Sequence, residues 1–167
     1  VLNVTVEKQG ITNKSKQFTR SNKIIIDKTR AGVSTSTNGL TENDNYGLRI
    51  EDREISLNVP DVVNVVSILE SKNDNDPTLD KITTVSGLSL NTNTIDGEKI
   101  IGSESGAVAQ LITRVDGENV EIAYFTDTQF VLGEIILFEE SNIETTVQAI
   151  TLGNNINVTQ KYSLDKG

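Results

Sequence analysis

The chain has 167 residues and a formal net charge of −9, with 15 basic and 24 acidic residues. It contains no Cys and no His. Within this chain these absences exclude disulfides, thiolate catalysis, Ser-His-Asp triads and Cys- or His-based metal sites. The acidic balance also disfavours nucleic acid as a partner, because binding a phosphate backbone requires a sustained cationic surface.

Alternating apolar residues predict half-buried strands in the N-terminal part of the chain. The chain opens directly on such a pattern and has no Met, which indicates a piece of a longer protein. No apolar run approaches the length needed to cross a bilayer, so we expect no membrane partner. The alternating positions are Leu2/Val4/Val6, Leu48/Ile50 and Ile55/Leu57/Val59.

Basic residues are concentrated near the N-terminus, and we interpret them as a solvated strand face. Contact with an acidic protein surface is the alternative interpretation. These residues are Lys14, Lys16, Arg20, Lys23, Lys28 and Arg30.

The segment 61–69 fits two patterns. Its apolar residues at 62, 65, 66 and 69 have helical spacing, but its valines favour a strand, and we predict a strand. The polar stretches 35–45 and 71–78 are predicted as exposed loops, and Asn91–Thr94 as a boundary between two units.

The densest alternation of strands and turns lies in residues 95–152, and it predicts a small β-barrel or sandwich. The clearest hairpin joins Gln110–Val115 to Asn119–Phe125 through Asp116-Gly117.

The same region contains an internal echo, that is, a short segment that recurs in similar form. Gly97-Glu98-Lys99-Ile100-Ile101 followed by Glu104-Ser105 recurs as Gly133-Glu134-Ile135-Ile136-Leu137 followed by Glu140-Ser141. Each copy leads to a Gln-x-Ile, at 110–112 and 148–150. Two related halves would pair to close one sheet, with chance similarity as the alternative.

We therefore predict an all-β protein of antiparallel sandwich or barrel modules. The units are an N-terminal β-region, 1–94, a small barrel or sandwich, 95–152, and a C-terminal segment, 153–167, that supplies a returning strand and a linker. The return of Asn155–Thr159 to the first sheet would make the second unit an insertion.

For each candidate catalytic, phosphate-binding or metal-binding site, we favour a structural interpretation. Asp74-Asn75-Asp76 clusters oxygen ligands but lacks the glycine turn and distal Glu of a calcium loop. The segment 102–106 reads as a turn, since it lacks the Gly-Lys-Ser/Thr ending of a phosphate loop. The acidic groups Glu51/Asp52/Glu54 and Glu139/Glu140 are not expected to converge as a catalytic pair.

We accordingly expect no enzyme activity, no catalytic, cofactor-binding or metal-binding residues, no cofactor and no small-molecule ligand.

Two elements carry a resemblance to a known class of proteins. Gly102-Ser103-Glu104-Ser105-Gly106-Ala107-Val108-Ala109 and Phe130-Val131-Leu132-Gly133-Glu134-Ile135-Ile136 resemble small β-modules in virion structural proteins of tailed bacteriophages. The segments 46–71 and 160–167 resemble parts of large tail or baseplate proteins from marine tailed phages. The resemblance implies a virion setting, with other virion structural proteins or further copies of the chain as partners.

A bacterial cell-surface location is the competing interpretation. In it, the chain is an adhesin-like module that binds a host glycan or protein through the loops 35–45 and 71–78, since exposed loops on a rigid sheet commonly carry recognition.

Overall fold

A computed structural model describes residues 10, 20–26, 53–57, 59 and 61–166. Within them the chain is mainly strands, joined by one short helix, α1, and a single 3-10 turn at Thr159–Lys161, which confirms the all-β prediction. The elements in chain order are β1 Leu69–Ser71, β2 Asp80–Thr84, α1 Leu90–Asn93, β3 Lys99–Gly102, β4 Val108–Arg114, β5 Asn119–Tyr124, β6 Ile135–Phe138, β7 Ile143–Thr151 and β8 Asn155–Asn157.

Six strands close into an antiparallel barrel in the order β2-β5-β4-β3-β6-β7, with β7 pairing back to β2. Alternation along each strand directs one set of side chains inward, as in β3 and β6, where every second residue is buried. The interior is filled mainly by aliphatic side chains and two Phe: Ile82, Leu90, Ile100, Leu111, Ile122, Phe130, Ile136 and Phe138 are almost fully buried. Closure leaves no free strand edge on the barrel.

The barrel has an internal pseudo-twofold symmetry, which confirms the predicted pairing of two related halves. β3 pairs with β6 through Ile101 and Leu137, and the flanking pairs are symmetric about this one. β3 pairs with β4 in the same register as β6 pairs with β7, at positions 36 residues apart, such as Ile100 and Ile136. Even the β-bulges correspond, at Ile112 and Gln148.

One detail of the predicted echo is wrong. The two Gln-x-Ile segments do not coincide under this symmetry, because the symmetric counterpart of Gln110 is Thr146 and not Gln148. One half consists of β2, β3 and β4, and the other consists of β5, β6 and β7. The first strand of each half pairs with the last strand of the other half: β2 pairs with β7, and β5 pairs with β4. The halves are therefore interlocked.

The barrel begins earlier than the predicted unit 95–152, because β2 lies within it. The predicted boundary at Asn91–Thr94 is instead α1, whose first residue, Leu90, is part of the core. Arg114 holds this helix to the barrel: its guanidinium pairs with Asp96, with N–O distances of 2.6 and 2.9 Å, and donates to the carbonyls of Asn91 and Thr94. The polar composition of this segment did not predict the helix, because the helix is stabilised by tertiary contacts.

Outside the barrel, β1 and β8 form a two-stranded antiparallel sheet, with Glu70 opposite Ile156. The chain after the barrel thus returns to the segment before it. The strand predicted over 61–69 is wrong for most of its length, because only Leu69 belongs to a strand and residues 62–68 form neither ladder nor helix. The described residues of the Ile55/Leu57/Val59 pattern are likewise not in a strand.

The hairpin between β4 and β5 is confirmed, with Val115 donating to the Asn119 carbonyl at 3.0 Å. The segment after Ser71 and the segment 103–105 are turns or bends, as predicted. The patterns at Leu2/Val4/Val6 and Leu48/Ile50 and the loop 35–45 lie outside the described residues.

Candidate functional site

Two buried glutamates connect the halves of the barrel, and we call each glutamate with its hydrogen-bond donors a carboxylate clamp. The first clamp is Glu98, whose carboxylate accepts from the backbone N–H groups of Ile95, Glu140 and Ser141 at 2.7, 3.1 and 2.9 Å. The Ser141 hydroxyl donates to the same carboxylate at 2.9 Å. The side chain therefore fixes the turn between β6 and β7, which belongs to the other half.

The second clamp is Glu134, the symmetric counterpart of Glu98. Its carboxylate accepts from the N–H groups of Val131, Glu104 and Ser105 at 2.6, 3.1 and 3.1 Å, and from the Ser105 hydroxyl at 3.0 Å. Each half thus supplies the carboxylate that holds the turn of the other. Glycines with positive φ, Gly97 at 81° and Gly133 at 87°, precede the two glutamates and allow the tight turns that aim them inward.

The electrostatics of the second clamp keep it ionised. Burial raises the pKa of Glu134, but the N–H groups of Ser105, Val131 and Glu104 and the Ser105 hydroxyl lower it, and the net pKa lies below the ordinary value. A carboxyl group of this kind is a poor general acid, since a catalytic acid needs a raised pKa. The arrangement suits a structural anion rather than a proton donor.

The clamps were missed from sequence, although a signal was present. In both halves a Gly-Glu pair opens an aliphatic strand and a Glu-Ser pair follows six residues after the first Glu, as from Glu98 to Glu104-Ser105. A glutamate in the same place in two copies of an aliphatic strand indicates a buried, hydrogen-bonded carboxylate. The Ser then supplies one of the donors.

Gly102 gives the second clamp its space. A Cβ atom built there would lie 2.6 Å from the Ser105 Oγ and 2.7 Å from the Glu134 Oε2. We therefore expect Gly102→Ala to lower the free energy of unfolding by about 2 kcal/mol, since overpacking a filled site forces neighbours apart. Urea denaturation measures this.

The matched control is Gly117→Ala, where the nearest atom to a new Cβ is 3.6 Å away. We expect this control to change stability by less than about 0.5 kcal/mol. Equal stability of the two variants would contradict the clamp geometry.

A polar cleft lies between the barrel and the two-stranded sheet, with a volume of about 250 Å³. The barrel side presents Tyr124, Thr126 and Asp127, and the sheet side presents Asn155 and Asn157. The lining is mostly hydroxyl, amide and carboxylate groups, which can hydrogen-bond a polar ligand or a partner's backbone.

Tyr124 on this cleft is a measurable reporter of burial. Its hydroxyl accepts from the Phe130 N–H at 3.2 Å, and the two rings lie 5.3 Å apart. Burial raises the pKa of Tyr124 to about 12, against the lowering effect of that hydrogen bond. Folding thus favours the neutral phenol, and its contribution to stability is complete below pH 10 and is lost as pH rises through about 12.

We expect the 295 nm absorbance titration to contain a tyrosinate component with a midpoint near pH 12 that is absent from Tyr124→Phe. Far-UV circular dichroism recorded alongside shows whether the barrel is folded at each pH. A Tyr124 midpoint near pH 10 in the folded protein would contradict the buried environment.

Of the acidic residues weighed from sequence, Glu54 is exposed and lies outside any strand. Glu139 and Glu140 lie in the turn after β6 and are exposed, and Glu51 and Asp52 lie outside the described residues. Asp74-Asn75-Asp76 lies in an exposed bend, and no group of three His, Cys, Asp or Glu in the described part of the chain could hold a metal ion. Nor does any helix among the described residues have the length and apolar character to span a membrane.

Comparison of the chain with protein-family models, with curated proteins and with solved structures found no match.

Proposed function

We propose that the chain is a non-catalytic structural or docking module of a virion, within a tail, baseplate or fibre protein of a tailed bacteriophage. The observation that carries this is the use of the two buried carboxylates. Both are engaged by internal donors that hold the halves together, which is what a module selected for rigidity requires. The virion setting comes from the resemblance of 102–109 and 130–136 to phage β-modules.

The fold limits how such a module docks. All six barrel strands are paired on both sides, so strand addition to the barrel is blocked. Within the part of the chain that the structure describes, the strands with one partner are β1 and β8 of the small sheet. Contacts with other virion proteins would therefore use this sheet, the barrel turns or the polar loops.

The test is electron microscopy of purified tailed-phage particles labelled with a gold-conjugated antibody against this chain. Discrete labelling at the tail, baseplate or fibre is the expected result. Labelling of uninfected bacterial cells with none on particles would overturn the virion proposal and place the chain on a cell surface.

The alternative is an adhesin-like module that binds a host glycan or protein. The loop after β1 favours it, because hydrogen bonds fix this loop beside the polar cleft: Asn154 Nδ2 donates to Asn73 Oδ1 at 2.8 Å, and Asn155 Nδ2 donates to the Thr78 carbonyl at 2.7 Å. A fixed loop next to a polar cleft is a common recognition arrangement.

Binding of the labelled chain to host bacteria tests the alternative. If the adhesin proposal holds, Asp127→Ala in the cleft reduces binding, and Glu118→Ala, in the β4–β5 turn outside the cleft lining, does not. No binding by the wild-type chain would exclude it.

A further inference from the structure

The pseudo-twofold symmetry produces two equivalent turns with opposite surface chemistry. We call residues 95–99 turn A and residues 131–135 turn B. Both have a positive-φ glycine followed by a buried clamp glutamate. Turn A carries Asp96 and Lys99 at the positions where turn B carries Leu132 and Ile135.

Turn A is covered by residues 20–23. The Arg20 backbone lies so close that a Cβ on Gly97 would be 3.2 Å from the Arg20 carbonyl oxygen. The Arg20 guanidinium pairs with Glu140, and Lys23 Nζ lies 3.7 Å from Glu121 Oε2. This stretch therefore contacts turn A through its backbone and binds the neighbouring turn after β6 and strand β5 through charge.

Turn B has the same backbone geometry and no comparable cover from the described residues. A Cβ on Gly133 would meet nothing within 4 Å, and Leu132 and Ile135 are 66% and 50% exposed. Glu104, the symmetric counterpart of Glu140, is exposed beside Ser105. Turn B thus offers a glycine open to close approach and two exposed aliphatic side chains, with the Glu104 carboxylate beside it.

We propose that turn B binds residues 20–26 of a second copy of this chain. The segment has the chemistry that turn B requires: Arg20 to pair with Glu104, as it pairs with Glu140 beside turn A, and Ile24-Ile25-Ile26 to cover the exposed aliphatic side chains. The inference does not depend on the virion assignment.

Exchange between copies is favoured by the difference between the turns. The contacts that hold residues 20–23 beside turn A include two partly exposed ion pairs with Glu140 and Glu121. The Arg20 and Lys23 side chains are 42% and 49% exposed, and such pairs hold weakly. Binding to turn B removes Leu132 and Ile135 from water, an apolar contact that Asp96 and Lys99 of turn A do not offer. A head-to-tail contact of this kind extends from copy to copy unless its rotation closes a ring.

Sedimentation velocity of the full chain over a concentration series tests the proposal. We expect wild type to self-associate, and Leu132→Asp with Ile135→Lys, which copies the polar side chains of turn A, to weaken association at least tenfold. Both residues are exposed, so the variant keeps the buried core. Glu104→Gln is expected to weaken association less than the double substitution does, and to reduce the salt dependence of association. The matched control is Leu152→Asp, a change at a residue 62% exposed and outside turn B, which leaves association unchanged.

A fluorescent peptide with the sequence of residues 20–26 identifies the occupant by anisotropy. It is expected to bind wild type and to lose binding in the Leu132→Asp/Ile135→Lys variant. A wild-type chain that stays monomeric overturns the proposal, and if the peptide still binds turn B, the natural occupant is another protein. Peptide binding that is unaffected by the turn B variant also overturns it.

Discussion

Replacing Glu134 with Gln is expected to lower the free energy of unfolding by about 3 kcal/mol at pH 7. The carboxylate accepts on one oxygen from Val131 and on the other from Glu104 and Ser105. An amide of the same shape turns an NH₂ group toward one of these sets of N–H donors. At least one buried donor then loses its acceptor, which costs more than the hydrogen bond itself contributes.

The loss depends on pH, with a sign that follows from the pKa. Folding holds the pKa of Glu134 below its ordinary value, so its ionisation contributes stability that is fully present above the ordinary pKa. That contribution falls as pH drops through the lower folded pKa. The stability difference between wild type and Glu134→Gln should therefore be constant near neutrality and shrink below about pH 4.3.

Chemical denaturation of both proteins between pH 3 and pH 7 measures this difference. Glu139→Gln is the matched control, because Glu139 is exposed in the adjacent turn and its substitution removes the same charge without touching a clamp. We expect the control to stay within about 0.5 kcal/mol of wild type. A Glu134→Gln variant as stable as Glu139→Gln would show that the clamp does not hold the halves together.

The barrel could be predicted from sequence because its strands alternate and its turns are marked. Val120 and Ile122 alternate with polar residues, and Asp116-Gly117 lies where the hairpin turns. Asp116 also explains the strength of that turn signal, since its side chain accepts from the Glu118 and Asn119 N–H groups at 2.9 and 2.8 Å. Local chemistry of this kind is visible in one sequence.

Features set by distant contacts were not predictable in the same way. α1 is four residues long and its sequence, Leu-Asn-Thr-Asn, has weak helix propensity. Its stability comes from burial of Leu90 and from Arg114, which is more than 20 residues further along the chain. The valine-rich segment before β1 shows the converse, because strand propensity does not by itself provide a pairing partner.

The clamps fall between these cases. The repeated Gly-Glu and Glu-Ser pairs were visible as an echo, but the burial of Glu98 and Glu134 follows only when the two halves interlock. Glutamate is normally exposed, so a single occurrence predicts a surface position. The repetition of the glutamate indicates a buried position. The exchange of strand partners between the halves, in contrast, is seen only in the folded structure.

The symmetry is broken most strongly inside the barrel, where Gly102 is the counterpart of Phe138. Phe138 is the largest of the fully buried side chains in the barrel core. The space beside Gly102 is taken in part by Phe130, whose Cδ1 atom would lie 2.9 Å from a Cβ built on the glycine. The two core phenylalanines, Phe130 and Phe138, therefore lie at positions that the symmetry does not relate.

We expect Phe138→Ala to lower the free energy of unfolding by about 4 kcal/mol, the largest effect of any substitution considered, since truncating a buried Phe removes apolar burial and leaves a cavity. The control is Phe125→Ala, the same change at a side chain 44% exposed, for which we expect about 1 kcal/mol or less. Thermal and urea denaturation measure both variants. Equal losses would show that Phe138 does not fill the centre of the barrel.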